Sequence, residues 1–149
     1  MRVLEVGTGS GYQAAVLAQI GCTVISVERH PALADAARAR IEAAGMADRV
    51  RIVIGDGSIG LPEDAPFHGI VVTAAAPAVP EPLPGQLADG GRLVVPVGPR
   101  GRQELILVVR NGDTFERHDC GGCVFVPLIG EAGFGEDTAR RRRWPWRLI

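Results

Sequence analysis

Short apolar runs alternate with helical or glycine-rich segments along the first hundred residues of the chain. Runs of four to six apolar residues bounded by turn residues are typical of buried strands. The strands predicted in this way are 3–6, 23–28, 50–54, 69–73 and 93–97. The helices predicted between them are 14–20, 32–44 and a short one at 83–88. Strands that alternate with helices indicate a parallel sheet with right-handed crossovers.

The pattern changes after residue 97. Only five residues, 98–102, lie between Val97 and Gln103, and a parallel crossover needs about a dozen. Segment 105–110 should therefore run antiparallel to its neighbour, and Asn111-Gly112 predicts a hairpin into strands 114–118 and 124–126. The predicted fold is α/β, doubly wound and Rossmann-like, with a mostly parallel sheet and an antiparallel C-terminal hairpin at its edge.

One domain, residues 1–135, and a basic tail, residues 136–149, are predicted. The tail carries four arginines, Arg140–Arg143, with Trp144 and Trp146 beside them, and we interpret it as an exposed segment. In the second helix, an inward face is predicted at helical spacing. Its members are Leu33, Ala36, Ala37 and Ile41.

Three predicted strand ends carry residues suited to a nucleoside ligand. Gly7, Gly9 and Gly11 follow the first strand, where glycine lets a ligand approach the backbone at a helix start. Glu28 ends the second strand and can accept both ribose hydroxyls. Asp56 follows the third strand and can meet the amine of adenine. Each feature also has a purely structural alternative. The glycines can form a tight turn without a ligand, Glu28 can be a solvated charge, and Asp56 can be an ordinary turn residue.

Two cofactors fit this arrangement. A dinucleotide favours Gly-x-Gly-x-x-Gly, in which the helix start faces a pyrophosphate. The chain instead has Gly-x-Gly-x-Gly with Tyr12 after the third glycine, and S-adenosyl-L-methionine has no phosphate that would need the longer loop.

Residues 3–13 read Val-Leu-Glu-Val-Gly-Thr-Gly-Ser-Gly-Tyr-Gln, which resembles motif I of class I methyltransferases, in the version found in protein-L-isoaspartate O-methyltransferases. Segments 50–62, 70–77, 86–98 and 125–130 are similar to further motifs of that family, in the same order. The resemblance implies methyl transfer from S-adenosyl-L-methionine to the carboxylate of L-isoaspartyl residues in damaged proteins. It assigns no catalytic residue. The cofactor-binding residues that it implies are Glu5, Gly7, Thr8, Gly9, Ser10, Tyr12, Glu28, Arg29, Asp56, Gly57 and Thr73.

The chain departs from the family pattern in two places. The family carries a region before the glycine turn, with a segment of the type Pro-Ile-Gly-x-Gly-Gln-Thr-Ile-Ser that closes over the cofactor and the acceptor. Here Met1 and Arg2 stand directly before the first strand, so the acceptor-binding residues do not carry over. His68 stands where the family more often has an acidic residue. A cofactor-binding fragment with little or no activity is therefore the alternative, and a fragment of a nucleotide-binding oxidoreductase is a weaker one.

Composition and cysteines limit the remaining possibilities. The formal net charge is −1, which favours neither nucleic acid nor a membrane surface, and no apolar run approaches the ~20 residues of a membrane span. Three cysteines and a start without a signal-peptide pattern predict a cytoplasmic setting. Cys120 and Cys123, with His118 nearby, lack the second pair that a zinc site needs, so no metal is predicted. The sequence does not predict the oligomeric state.

Overall fold

The sheet of this protein follows the apolar runs of its sequence. The computed structural model describes residues 1–136. Within them lie seven strands: β1 (Arg2–Val6), β2 (Thr23–Glu28), β3 (Val50–Ile54), β4 (Phe67–Val72), β5 (Leu87–Val97), β6 (Gln103–Asn111) and β7 (Thr114–Cys123). Two α-helices, α1 (Tyr12–Gln19) and α2 (Pro31–Ala43), connect the first three strands. Pro31 begins α2, where its fixed φ suits the first helical position.

The strand order is β3-β2-β1-β4-β5-β6-β7. The first five strands pair in parallel, and β6 and β7 join the edge as an antiparallel hairpin. Strand β1 lies between β2 and β4, so the chain changes direction across the sheet beside β1. The predicted mixed sheet and its hairpin edge are confirmed.

The two faces of the sheet have separate apolar cores. Helices α1 and α2 cover one face through small buried side chains such as Ala14, Ala18 and Ala37. The opposite face packs against the connections that follow β3 and β4, which contribute Leu61 and Leu83. These connections contain short 3₁₀ turns, at Gly57–Ile59, Pro62–Asp64 and Pro84–Gln86. Covered faces on both sides explain why the parallel strands are almost continuously apolar.

The predicted short helix at 83–88 is wrong. Prolines and glycines limit the segment to the single turn Pro84–Gln86, and Leu87 begins β5 with its side chain fully buried. Gly90 has a φ of 71° and lies in an irregular part of β5, where Phe67 pairs with Leu87 but Gly69 pairs with Arg92. Gly90 and Gly91 therefore mark a bulge in a strand rather than the end of a helix.

Two smaller predictions also differ from the structure. Segment 124–126 is not a strand, because the Phe125 N–H donates to the side-chain oxygen of Gln103 instead of joining the ladder. Strand β7 instead extends to Cys123, so both Cys120 and Cys123 lie within it. On α2, Ala37 and Ile41 are buried as predicted and Ala36 is half-buried, but Leu33 is 44% exposed.

The described residues contain two α-helices, α1 and α2. Neither is long and apolar enough to cross a bilayer. Residues 137–149 of the predicted tail, with Arg140–Arg143, Trp144 and Trp146, lie outside the described residues.

Phe67 and Phe115 provide a matched test of the core. Each ring has an arginine over it, at 5.6 Å for Arg2 and 5.9 Å for Arg110, but Phe67 is fully buried and Phe115 is 46% exposed. We expect Phe67→Ala to lower the free energy of unfolding by roughly 3–5 kcal/mol, because it leaves a cavity. Phe115→Ala should cost about 1 kcal/mol or less. Chemical denaturation of both variants checks this, and equal losses would contradict the assignment of the core.

Candidate functional site

The carboxyl ends of the parallel strands meet at one edge of the sheet and surround a cleft. Ligand sites of open α/β sheets lie at this edge, where the chain changes direction across the sheet. The cleft has a volume of about 340 Å³, within the usual range for small-molecule sites. Six of the residues implied by the sequence line it: Gly7, Gly9, Glu28, Arg29, Gly57 and Thr73.

The glycine turn after β1 is held by Thr73 from the neighbouring strand end. The Thr73 hydroxyl lies 3.0 Å from the carbonyl oxygen of Val6 and 2.6 Å from that of Gly7, and donates to this pair. Gly7 has a φ of 98°, and a Cβ at this position would lie only 2.5 Å from the Thr73 oxygen. A side chain is therefore excluded both by the backbone conformation and by the contact.

Gly11 closes the turn against α2. A Cβ on Gly11 would lie 3.2 Å from the Cβ of Ala37, so glycine and alanine together allow the close approach. Gly11 also caps α1 with a left-handed backbone conformation. The turn and the start of α1 are thereby fixed relative to the second helix.

Glu28 joins the glycine turn to the start of α2. One carboxylate oxygen accepts a hydrogen bond from the Gly9 N–H at 2.9 Å, and the other accepts from the His30 N–H at 3.0 Å. The residue is 5% exposed and lines the cleft. A carboxylate has about four lone-pair positions, so two stay available to a ligand.

Glu5 is a buried carboxyl group behind the turn. Its Oε2 accepts from the Ser26 hydroxyl at 2.5 Å, and the Ser26 oxygen lies 2.5 Å from the Thr8 hydroxyl. Its Oε1 has no hydrogen-bond partner in the described part of the chain. Burial raises the pKa of Glu5 from 4.5 to about 7; the bond from Ser26 lowers it and the charge of Glu28 raises it, both to a smaller extent.

Asp56 fixes the loop that follows the hairpin. One oxygen accepts from the N–H and the hydroxyl of Ser58, and the other accepts from the Glu131 N–H at 2.8 Å. Burial raises the pKa of Asp56, but the hydrogen bonds from Glu131 and Ser58 and the charge of Arg29 outweigh it and hold the pKa below its usual range. Asp56 lines a hollow beside the main cleft, and Arg29 lines both.

The remaining residues implied by the sequence lie away from the cleft lining. Thr8 is buried with its hydroxyl on Ser26, and Tyr12 is 75% exposed at the start of α1. The backbone carbonyl of Ser10 accepts from the Arg40 side chain at 3.3 Å. No group of three or more His, Cys, Asp or Glu side chains that could hold a metal occurs among residues 1–136.

The outer wall of the cleft was not predicted from the sequence. Residues 126–129, Leu33 and His30 also line the cleft, as do Val6, Val27 and Ala74. The wall is held by Ala75, whose N–H donates to the Val126 carbonyl and whose carbonyl accepts from the Leu128 N–H, both at 2.7 Å. The sequence offered two signals for this wall, an apolar residue early in α2 and an apolar run after the hairpin. Both patterns are also typical of core residues.

The raised pKa of Glu5 predicts a pH-dependent effect of Glu5→Gln on stability. The folded state holds the Glu5 proton up to about pH 7, whereas the unfolded chain loses it near pH 4.5. The stabilisation from this proton is therefore complete below about pH 4.5 and lost as the pH rises to 7. Gln stays neutral, so the stability of the variant relative to the parent should rise by roughly 3 kcal/mol across that interval.

Denaturant unfolding at a series of pH values measures this difference, since groups common to both proteins cancel. Glu42→Gln, at an exposed position in α2, is the matched control and should show a constant difference. A constant difference for Glu5→Gln as well would show that Glu5 titrates like an exposed residue.

Comparison with known proteins agrees with the geometry of this site. Residues 1–133 match the family model described as protein-L-isoaspartate(D-aspartate) O-methyltransferase. Protein-L-isoaspartate O-methyltransferases from Methanoculleus marisnigri and Methylorubrum populi are 53% and 56% identical over 133 residues, or 89% of this chain. The chain spans 60% and 62% of the length of these two curated relatives.

Solved structures show the same fold. A protein-L-isoaspartate O-methyltransferase superimposes with a TM-score of 0.82 and 34% identity, over 89% of this chain and 43% of that one. A Plasmodium falciparum chain assigned to the same enzyme class, in complex with S-adenosyl-L-homocysteine, superimposes with a TM-score of 0.70 and 25% identity. The match covers 86% of this chain and 65% of that one. With nearly its whole described length matched, this chain belongs to the protein-L-isoaspartate(D-aspartate) O-methyltransferase family.

Proposed function

We propose that this chain binds S-adenosyl-L-methionine in the cleft and serves methyl transfer to the carboxylate of L-isoaspartyl residues in damaged proteins. The observation that carries the proposal is the glycine turn facing the cleft beside the Glu28 carboxylate, in a chain of this family. A related solved chain holds S-adenosyl-L-homocysteine, which is the demethylated product of this cofactor.

The residues present fit an adenosyl cofactor. Glu28 keeps lone pairs for the two ribose hydroxyls while its other contacts fix its position against Gly9 and His30. Gly7 and Gly9 present bare backbone at the cleft. Leu33 and the wall at 126–129 supply apolar surface that excludes water. We include the remaining implied residues as supports: Glu5 and Thr8 behind the turn, Ser10 and Tyr12 at the start of α1, and Asp56 beside Arg29.

The proposed chemistry makes modest demands on the protein. The cofactor supplies a methyl group already activated by its sulfonium, and the acceptor carboxylate is ionised at neutral pH. The carboxylate oxygen forms a bond to the methyl carbon as the carbon–sulfur bond breaks, giving a methyl ester and S-adenosyl-L-homocysteine. The chain has to align the reactants and exclude water, and no general base is required.

The acceptor side of the proposal concerns the whole protein. The chain spans about 60% of the length of its curated relatives. Cofactor binding without turnover is the second candidate function. We also infer a cytoplasmic location, which fits the free thiols of Cys22, Cys120 and Cys123.

Calorimetry tests the cofactor. We expect S-adenosyl-L-methionine and S-adenosyl-L-homocysteine to bind and NAD to give no signal. Glu28→Ala should weaken binding by roughly 2–4 kcal/mol, because two charge-assisted hydrogen bonds are lost. The exposed Glu42→Ala is the matched control and should bind like the parent. Binding of NAD in preference would favour the oxidoreductase interpretation, and unchanged affinity in Glu28→Ala would overturn the role of Glu28.

Radiolabelled methyl transfer tests the reaction. The chain is incubated with labelled S-adenosyl-L-methionine and an isoaspartyl peptide, and the same peptide with ordinary aspartate is the control. We expect label in the isoaspartyl peptide as a base-labile ester and none in the control, since misplacing the carboxylate by about 1 Å can cost ~100-fold in rate. Cofactor binding in the same sample without transfer would identify the chain as a cofactor-binding unit.

A further inference from the structure

Glu5 is placed unusually for a carboxyl group. It is the next-to-last residue of β1, on the face that α1 and α2 cover, among apolar neighbours such as Val3 and Val24, and it is fully buried. Within residues 1–136, its Oε1 has no hydrogen-bond partner. Ionising a buried carboxyl group with an unpaired oxygen is costly unless a positive charge compensates.

The hydroxyl groups of Ser26 and Thr8 connect Glu5 to the glycine turn. When Glu5 is ionised, Ser26 donates to Glu5 and its oxygen can accept from Thr8. When Glu5 is protonated, the carboxylic acid can donate to Ser26, which then donates to Thr8. Ser26 and Thr8 are both buried, and Thr8 stands between Gly7 and Gly9. The proton on Glu5 therefore changes the hydrogen bonding of the turn that lines the cleft.

Among residues 1–136, the charged groups around Glu5 provide no compensating cation. From β2, Glu28 contributes a like charge. From α2, Arg38 donates to the Ile52 carbonyl and Arg40 to the Ser10 carbonyl.

Within the described residues, the other neighbouring elements also provide no cation that pairs with Glu5. On α1, the titratable side chain is the exposed Tyr12. On β4, His68 accepts from the Arg2 N–H, and on β3, Arg51 pairs with Asp64. Arg29 lines the cleft but pairs with Glu136. Within residues 1–136, no cation pairs with Glu5 or Glu28, which lie behind and beside the cleft. This arrangement suits a ligand that is itself positively charged.

We propose that Glu5 is a positioning residue that releases its proton to solvent when the sulfonium cofactor binds, so that S-adenosyl-L-methionine binds more tightly as Glu5 ionises. This inference rests on the proposed function. S-adenosyl-L-homocysteine lacks the sulfonium charge and otherwise has the same charged groups. Its affinity therefore depends less on the ionisation of Glu5. Glu5 thereby contributes to discrimination between the cofactor and its product.

The direction of the effect follows from the titration of Glu5. Its pKa of about 7 means that the group is largely protonated at pH 6 and ionised at pH 8. Affinity for S-adenosyl-L-methionine should rise by roughly fivefold or more over this interval, which is a usual size for coupling between two sites. By reciprocity, binding at pH 7 should release a fraction of one proton.

Calorimetry of the full chain in two buffers of different ionisation enthalpy counts that proton. We expect release with S-adenosyl-L-methionine, less with S-adenosyl-L-homocysteine, and none from Glu5→Gln, whose affinity should stay constant from about pH 6 to about pH 8. Glu42→Gln is the matched control and should keep the pH dependence of the parent. His30→Gln should also keep it, which excludes the histidine that lines the cleft as the source of the pH dependence.

Each outcome decides the matter. Equal proton release with the two ligands, or an unchanged pH dependence in Glu5→Gln, overturns the inference and leaves cofactor binding intact. A loss of affinity in Glu5→Gln that is equal at every pH shows a merely structural role and also overturns it. If Glu5→Gln does not fold, the proton counts of the parent and of His30→Gln decide the question. Greater release with S-adenosyl-L-methionine than with S-adenosyl-L-homocysteine in both proteins supports the inference, and equal release overturns it. Absence of binding by either ligand at every pH overturns the proposed function and this inference together.

Discussion

The cleft depends on the hydrogen bonds that hold the glycine turn after β1. Glu28 holds the turn from β2 through the Gly9 N–H, and Thr73 holds it from the end of β4 through the carbonyls of Val6 and Gly7. Glycine permits this backbone conformation but does not impose it, because glycine loses more conformational freedom on folding than other residues. The two neighbouring strand ends supply the constraint that the turn itself lacks.

Two of the residues expected to contact a ligand also hold the structure together. Glu28 carries hydrogen bonds to two backbone segments, and Asp56 carries three to Ser58 and Glu131. Replacing either residue therefore changes the shape of the cleft as well as its chemistry. A conservative substitution such as Glu28→Gln separates these effects better than truncation to alanine, because the amide oxygen can still accept one backbone bond.

The sequence predicted the central strands and the hairpin because their apolar runs are short, separate and buried on both faces. The Leu83–Ala88 region could not be predicted in the same way, since Gly90 and Gly91 are equally typical of a helix end and of a strand bulge. In the site, Glu28 could be predicted from its spacing after the glycines. The cleft wall around Val126 was not, because its position depends on pairing with Ala75, which no local pattern encodes.

The outer wall of the cleft joins parts of the chain that are far apart in sequence. Asp56 holds Glu131 across 75 residues, whereas Glu28 reaches Gly9 across 19. Contacts between distant positions require larger loops to close, so their entropic cost is higher and they form more slowly. During synthesis, the glycine turn and Glu28 emerge long before the wall is made. A small molecule can therefore be enclosed only after the residues that follow the hairpin have been added.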